Sequence, residues 1–163
     1  MTSEIEKSGI PERELIEKSL PDPERRAAGP YVVVECWQRI PCDPCVAACP
    51  LGAIAEMENI NDLPKVDHGI CTGCGVCIAK CPGLAVFVVD ETWGADDEAL
   101  ILMPYEFAPL PEKGDVLPGL DRAGNPVCDA RIIRVRGKKG GTPVVSAAVP
   151  VDFIHAIRAL RPK

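Results

Sequence analysis

Residues 71–86 read CTGCGVCIAKCPGLAV, and residues 42–54 read CDPCVAACPLGAI. The two stretches align at a constant offset of 32 residues, which matches three cysteines with three cysteines and places a proline after the last cysteine of each copy. In both copies a short apolar segment follows that proline. The chain therefore contains an internal repeat built around cysteine, and such a repeat indicates two copies of one structural unit.

The second copy is completed by Cys71, which gives it the full pattern C-x2-C-x2-C-x3-C-P. Three cysteines at two-residue intervals wrap a loop around one cube of iron and sulfide, while the fourth, on the next helical turn, points towards another cube. Gly73 and Gly75 allow the backbone to curl close to a bulky inorganic group. This spacing predicts iron–sulfur ligation.

The cysteine pattern resembles that of bacterial two-cluster ferredoxins, and the resemblance covers roughly residues 31–90. It implies a pseudo-twofold α+β core, two [4Fe–4S] clusters and ligands exchanged between the two cysteine runs. By position, it implies that one cluster is held by Cys71, Cys74, Cys77 and Cys49. It implies that three corners of the other cluster are held by Cys42, Cys45 and Cys81.

The fourth corner of that other cluster departs from the family pattern. The repeat places a cysteine at position 39, but Arg39 stands there and Cys36 lies three residues upstream. An insertion around Ile40 accounts for the resulting C-x5-C spacing, since surface loops tolerate added residues. Cys36 is therefore predicted as the fourth ligand. The alternative is a three-iron cluster, with Cys36 as an ordinary buried thiol.

The cysteines and histidines also admit other interpretations. Structural zinc sites need four ligands in C-x2-C pairs, and these proline-ended runs match that pattern poorly. Cys128 lies outside both runs and is predicted to be a buried free thiol. His68 is expected on a solvent-facing loop, and His155 on the surface of a final helix.

The rest of the composition constrains the location of the protein and its class of partner. No apolar stretch at the N-terminus has the length of a signal peptide, and no run approaches a membrane span. The nine cysteines are thus expected in the cytoplasm, where clustered cysteines more often bind metal than form disulfides. The net charge of −6 argues against binding to nucleic acid.

The predicted fold is α+β, in three parts. An extended arm spans residues 1–30, with one helix over 11–18 and prolines that interrupt regular structure after it. The dicluster ferredoxin domain spans 31–90, and a β-rich appendage spans 91–163. Apolar and β-branched runs predict strands over 31–35, 84–89, 99–103, 131–136 and 144–149. Helical spacing of Phe153, Ile154, Ile157 and Leu160 predicts that the appendage ends in a helix over 151–160. Gly140-Gly141 predicts a turn.

Charge is distributed unevenly along the appendage. Residues 91–120 hold seven acidic and one basic side chain, whereas residues 121–163 hold nine basic and three acidic ones. Two explanations remain open. The two regions are solvated faces that attract each other, or one of them docks a partner protein through complementary charge.

The sequence contains no dinucleotide-binding glycine pattern, phosphate-binding loop or nucleophile motif. Electron transfer is therefore the predicted role, in a subunit of a larger oxidoreductase, because the arm and appendage exceed what a small ferredoxin needs. The chain resembles the ferredoxin-like small subunits that accompany FAD-dependent amino-acid or amine dehydrogenases, which implies flavin-containing partner subunits. The alternatives are a freestanding ferredoxin-type carrier and a redox or iron sensor.

Overall fold

A computed structural model describes residues 4–137 and 141–163. Its helices are short: α1 (Glu4–Ser8), α2 (Arg13–Lys18), α3 (Pro23–Arg26) and α4 (Pro44–Ala48), with 3₁₀ turns at Ile78–Lys80 and Val151–Phe153. The strands are β1 (Tyr31–Val34), β2 (Val86–Asp90), β3 (Glu98–Pro104), β4 (Val116–Leu120), β5 (Pro126–Arg136), β6 (Val144–Pro150) and β7 (Ala159–Leu160). The described chain is thus mixed, with few helical residues and many strand residues.

All seven strands belong to one antiparallel sheet, in the order β1-β2-β3-β6-β5-β4-β7. The mixed, strand-rich character expected from the sequence is confirmed. β3 pairs directly with β2, so the sheet is continuous across the expected boundary near residue 90. The division into 1–30, 31–90 and 91–163 stays a prediction.

The two faces of β1 and β2 are buried against different layers. Because successive side chains in a strand point to opposite faces, Val33 and Val89 join the core formed by the appendage strands. Val32 and Val88, which are partners in the β1–β2 register, join a second core that contains cysteines of both runs. Strands buried on both faces carry near-continuous apolar sequences, as YVVV and VFVV do here. One face of the sheet therefore forms the apolar surface, or floor, against which the cysteine region packs.

The helix predicted over residues 151–160 is wrong. After the 3₁₀ turn at Val151–Phe153 and a further turn over residues 154–156, the chain extends, and β7 pairs with β4. The backbone N–H of Arg158 donates to Leu120 O, and that of Arg161 donates to Pro118 O. Closing the edge of β4 satisfies backbone groups that a helix would have left unpaired. Of the four apolar residues at helical spacing, Ile154, Ile157 and Leu160 are buried, whereas Phe153 is 37% exposed.

Smaller differences between the predicted and observed elements occur at proline and glycine residues. α2 begins at Arg13 rather than at residue 11, and Pro23 starts α3 instead of interrupting regular structure. Proline has the φ angle of the first helical turn, which explains the second difference. β4 was not predicted, because Pro118 and Gly119 lie inside it and break the strand pattern. Half of the predicted Gly140-Gly141 turn, Gly140, lies outside the described residues.

No helix in residues 4–137 or 141–163 combines the length and the apolar character that crossing a membrane would require.

Candidate metal centre

Cysteines of both runs pack on the face of the sheet formed by Val32 and Val88, namely Cys45, Cys49, Cys71, Cys77 and Cys81. Each run delivers its last cysteine at the end of a short helical segment, α4 for Cys49 and the 3₁₀ turn for Cys81. We define two groups of four thiols by which cysteine charges act on Cys36, Cys45 and Cys77. The first thiol set is Cys36, Cys42, Cys45 and Cys81, and the second thiol set is Cys49, Cys71, Cys74 and Cys77.

The members of the first thiol set affect one another electrostatically. Burial raises the pKa of Cys36, and the charges of Cys81 and Cys42 raise it further. Burial likewise raises the pKa of Cys45, again together with the charges of Cys81 and Cys42. Both cysteine runs therefore contribute to this set, and Cys36 lies within it.

The second thiol set shows the same behaviour. Burial, followed by the charges of Cys74, Cys71 and Cys49, raises the pKa of Cys77 to about 12. All four thiols of this set also line one pocket, whose other walls include the apolar side chains of Val32, Ile54 and Val88. Here, too, one cysteine comes from the first run and three come from the second.

The 32-residue repeat persists in the backbone geometry. Cys49 has φ and ψ of −78° and 109°, and Cys81 has −76° and 112°. The N–H of Ala53 points to Cys49 Sγ at 3.2 Å, and the N–H of Ala85 points to Cys81 Sγ at 3.4 Å. Both donors lie four residues after their cysteine. The two runs are therefore related copies in structure as well as in sequence.

Backbone N–H groups favour the thiolate form of a cysteine. Burial tends to raise the pKa of Cys49, but hydrogen bonds from the N–H groups of Ile54, Leu51, Ala53 and Gly52 outweigh it and lower that pKa. Gly73 N–H donates to Cys71 Sγ at 3.4 Å in the second run. Thiolates are the form that binds metal, so these donors prepare the sulfurs for ligation.

The donor chemistry fits iron–sulfur clusters. Burial first, and then the charges of neighbouring cysteines, disfavour the thiolate form in both sets, as the raised pKa values of Cys36, Cys45 and Cys77 indicate, and a cationic iron core would offset both effects. Among the described residues, no three His, Cys, Asp or Glu side chains converge closely enough to hold a single metal ion. A four-iron cluster asks for a wider arrangement, because each thiolate binds its own iron.

Arg25 of α3, in the N-terminal arm, forms hydrogen bonds with the second cysteine run. Its guanidinium donates to the carbonyl oxygens of His68 (2.7 Å), Gly29 (3.0 Å), Pro30 (2.8 Å) and Cys71 (2.8 Å). Hydrogen bonds from a charged donor are about twice as strong as neutral ones. The arm, expected to be merely extended, therefore positions a predicted ligand.

Gly73 packs directly against the same arm. A Cβ added at Gly73 would lie 2.6 Å from Pro30 Cβ and 2.9 Å from the carbonyl carbon of Pro30, and its φ of 66° disfavours any other residue. We expect Gly73→Ala to destabilise the protein by about 1–2 kcal/mol through φ alone and by about 1–3 kcal/mol more through the clash. The measurement is the apparent melting temperature together with the iron content.

Gly52→Ala is the matched control for this prediction. Gly52 has a φ of 68°, but nothing lies within 4 Å of an added Cβ. It should therefore show only the backbone cost, with its iron content unchanged. Equal melting temperatures for the two variants would contradict close packing between the arm and the second cysteine run.

The remaining candidates from the sequence have different surroundings. His68 is half-buried rather than solvent-facing: its Nε2 lies 3.0 Å from Val32 O and its ring meets Tyr31 edge-on. His155 does not lie on a helix and is half-buried, with Nε2 3.3 Å from Glu91 Oε1. Cys128 is half-buried on β5, packs against the appendage core, and joins neither thiol set.

Sequence reasoning missed a buried ionic cluster next to Cys36. Glu35 Oε1 accepts from Arg122 Nη2 at 2.5 Å and from Arg158 Nε at 2.6 Å, and Oε2 accepts from Arg122 Nε at 2.9 Å. The side chains of Glu35 and Arg158 are 6% and 5% exposed. The available signal was a carboxylate placed between a buried strand and a predicted ligand cysteine, a position that requires a cationic partner.

Residues 64–87 match the family of 4Fe-4S binding domains. The pyruvate synthase subunit PorD of Methanocaldococcus jannaschii is 42% identical over 52 residues, which are 32% of this chain and 58% of that protein. The thiosulfate reductase electron transfer subunit PhsB of Salmonella typhi is 38% identical over 66 residues, 40% of this chain and 33% of PhsB. A subunit of the tetrathionate reductase of Salmonella typhimurium is 36% identical over 72 residues, 43% of this chain and 28% of that protein.

The matched stretch thus spans little more than half of PorD and about a third or less of the other two relatives. No solved structure matches the chain. The prediction of an iron–sulfur domain of the 4Fe-4S ferredoxin type is confirmed at residues 64–87, and one of the relatives, PhsB, is named an electron transfer subunit. All three relatives are named as subunits of larger enzymes.

Proposed function

We propose that the chain is an electron-transfer subunit that carries two [4Fe–4S] clusters within a larger, flavin-containing oxidoreductase. The observation that carries this proposal is the grouping of eight cysteines into two sets of four, each with cysteines from both runs. The first thiol set would hold one cluster and the second thiol set the other. A [4Fe–4S] cluster accepts and releases one electron at a time.

The residues of this chain would bind the clusters, orient their ligands and shield them from water. The thiol sets supply the ligands, and the N–H groups of Ala53 and Ala85 donate to sulfur. Hydrogen bonds to sulfur and low solvent exposure are the means by which a protein tunes the reduction potential of such a site. Val32, Ile78 and Val88, which are at most 2% exposed, exclude water from the sheet side.

Two features support a subunit of a complex rather than an isolated carrier. The sheet continues for five strands beyond β2, which is far more structure than the cysteine runs require. The relatives that match the cysteine region are named as subunits of enzymes. The flavin-containing partner is proposed from the resemblance to the small subunits of FAD-dependent amino-acid or amine dehydrogenases. Such a small subunit would pass electrons from a flavin to an acceptor.

The proposal is tested by purifying the untagged chain without oxygen from its native cell. We expect about eight iron and eight sulfide per chain, two interacting EPR signals after full reduction, and co-purification with a flavin-containing subunit. About four irons per chain would contradict the second cluster. A monomer at every ionic strength, with both clusters present, would favour a freestanding carrier. Zinc in place of iron would overturn the proposal.

A further inference from the structure

An open groove lies beside Cys74, which is the only exposed cysteine among the nine, all of them described. The groove has a volume of about 640 Å³ and runs between the second cysteine run and the adjoining ends of β5 and β6. Its lining includes Cys74, Val76, Lys80, Arg134, Arg136 and Thr142. It therefore combines the solvent-facing edge of the second thiol set with part of the appendage.

The lining of the groove is cationic, although the whole chain has a net charge of −6. It contains Lys80, Arg134 and Arg136, and no acidic residue among those described belongs to it. Within residues 4–137 and 141–163, these three side chains make no hydrogen bond and no ion pair. Arg131 on the same strand as the two arginines, by contrast, is paired with Glu98 at 2.7 Å. The groove thus holds three positive charges that the described part of the chain leaves uncompensated.

Lys80 belongs to the second cysteine run, and Arg136 is in close contact with that run. Arg136 Nη2 would lie 3.4 Å from a Cβ added at Gly75, so the guanidinium packs against the residue after Cys74. Val76 is 46% exposed and offers an apolar contact within the charged surface. An apolar centre with a charged surround is the usual composition of a transient protein interface. Electron tunnelling slows steeply with distance, which favours transfer at this exposed edge.

We propose that this groove docks an acidic protein surface that carries the redox centre exchanging electrons with the second thiol set. The proposal rests on the proposed electron-transfer function and adds to it a location and a charge for the partner. Complementary charge accelerates encounter and fixes orientation, and both effects weaken as salt screens the charges. An acidic partner also explains why a chain of negative net charge keeps three unpaired cations together.

The test compares two triple variants that lose the same charge. The groove variant is Lys80→Gln/Arg134→Gln/Arg136→Gln, and the control variant is Arg13→Gln/Lys18→Gln/Lys113→Gln, at exposed positions distant in sequence from the cysteines. Binding of fluorescein-labelled poly-L-glutamate is followed by fluorescence anisotropy. We expect binding by wild type and control at low salt and its loss in the groove variant. Equal binding by all three proteins would overturn the proposal.

A kinetic measurement asks whether electrons leave through the groove. Reduced protein is oxidised by tris(oxalato)cobaltate(III), a trianion, and separately by hexaamminecobalt(III), a trication. The groove variant should react about tenfold more slowly than the control variant with the trianion, and faster with the trication, at low ionic strength. Both differences should vanish in high salt. Identical rates for the two variants would overturn the proposal.

Iron content and EPR spectra of each protein are recorded first. A wild type without iron–sulfur clusters would contradict the proposed function, whereas intact clusters with no groove effect would contradict only the docking site. Carbodiimide cross-linking of Lys80 to the acidic probe supplies a direct readout on the chain itself. Self-association that the groove variant abolishes would replace the acidic partner with a second copy of this chain and would overturn the proposal.

Discussion

Replacing Cys36 with alanine is expected to lower the iron content by one atom per chain, from about eight to about seven. The reason is that Cys36 lies within the first thiol set, where burial raises its pKa most and the charges of Cys81 and Cys42 raise it further. A [4Fe–4S] site that loses one of its four thiolates loses the iron that the thiolate held. Iron analysis and the EPR spectrum of the protein as isolated, with an oxidised [3Fe–4S] signal in the variant alone, measure this change.

Cys128→Ala is the matched control, because Cys128 is also half-buried but packs against the appendage core away from both thiol sets. That variant should keep the iron content and spectrum of the wild type. If the wild type already held about seven irons and Cys36→Ala left the number unchanged, the first thiol set would hold a three-iron cluster, and Cys36 would be an ordinary thiol. The two outcomes differ in the wild type, which would hold about eight irons in the first case and about seven in the second, whereas the variant would hold about seven in both.

The part of the molecule that sequence could predict is the part controlled by local spacing. The repeat placed Cys49 and Cys81 at equivalent positions, and they have nearly the same backbone angles. β1 and β2 follow from continuous apolar runs, whose burial on both faces requires a layer on each side. Cys36 required one further step, an inserted loop. The charges of Cys81 and Cys42 act on the pKa of Cys36, and its role as the fourth ligand stays a prediction.

The parts that sequence could not predict depend on distant pairing. Residues 151–160 carry helical spacing, yet their backbone pairs with β4, a strand that Pro118 and Gly119 had concealed. Without β4 the terminal strand has no partner, so one omission caused the other. The contacts of Arg25 and Glu35 likewise join residues far apart in the chain. No local pattern encodes such a contact, because each requires the fold to exist first.

Glu35→Gln is expected to lower the free energy of unfolding by about 3–5 kcal/mol, the usual cost of leaving a buried charge without its partner. Glu35 accepts from both Arg122 and Arg158, and glutamine would neutralise the only carboxylate among the described residues that contacts them. Arg158 stays buried, with Nη1 3.1 Å from Ile154 O and its guanidinium over the Phe87 ring. For a chain of this size the melting temperature should fall by roughly 10 °C.

The melting temperatures of wild type and variants must be compared at one scan rate, because proteins with bound cofactors often unfold irreversibly. Glu98→Gln is the control: Glu98 pairs with Arg131 at 2.7 Å, but both side chains are substantially exposed, at 36% and 46%. Its loss should cost about 0–1 kcal/mol. Equal shifts for the two variants would show that burial adds nothing. Since Glu35 directly precedes Cys36, Glu35→Gln should also lose iron from the first thiol set to a chelator sooner than Glu98→Gln does. A merely global loss of stability would speed iron loss from both thiol sets and not from the first one alone.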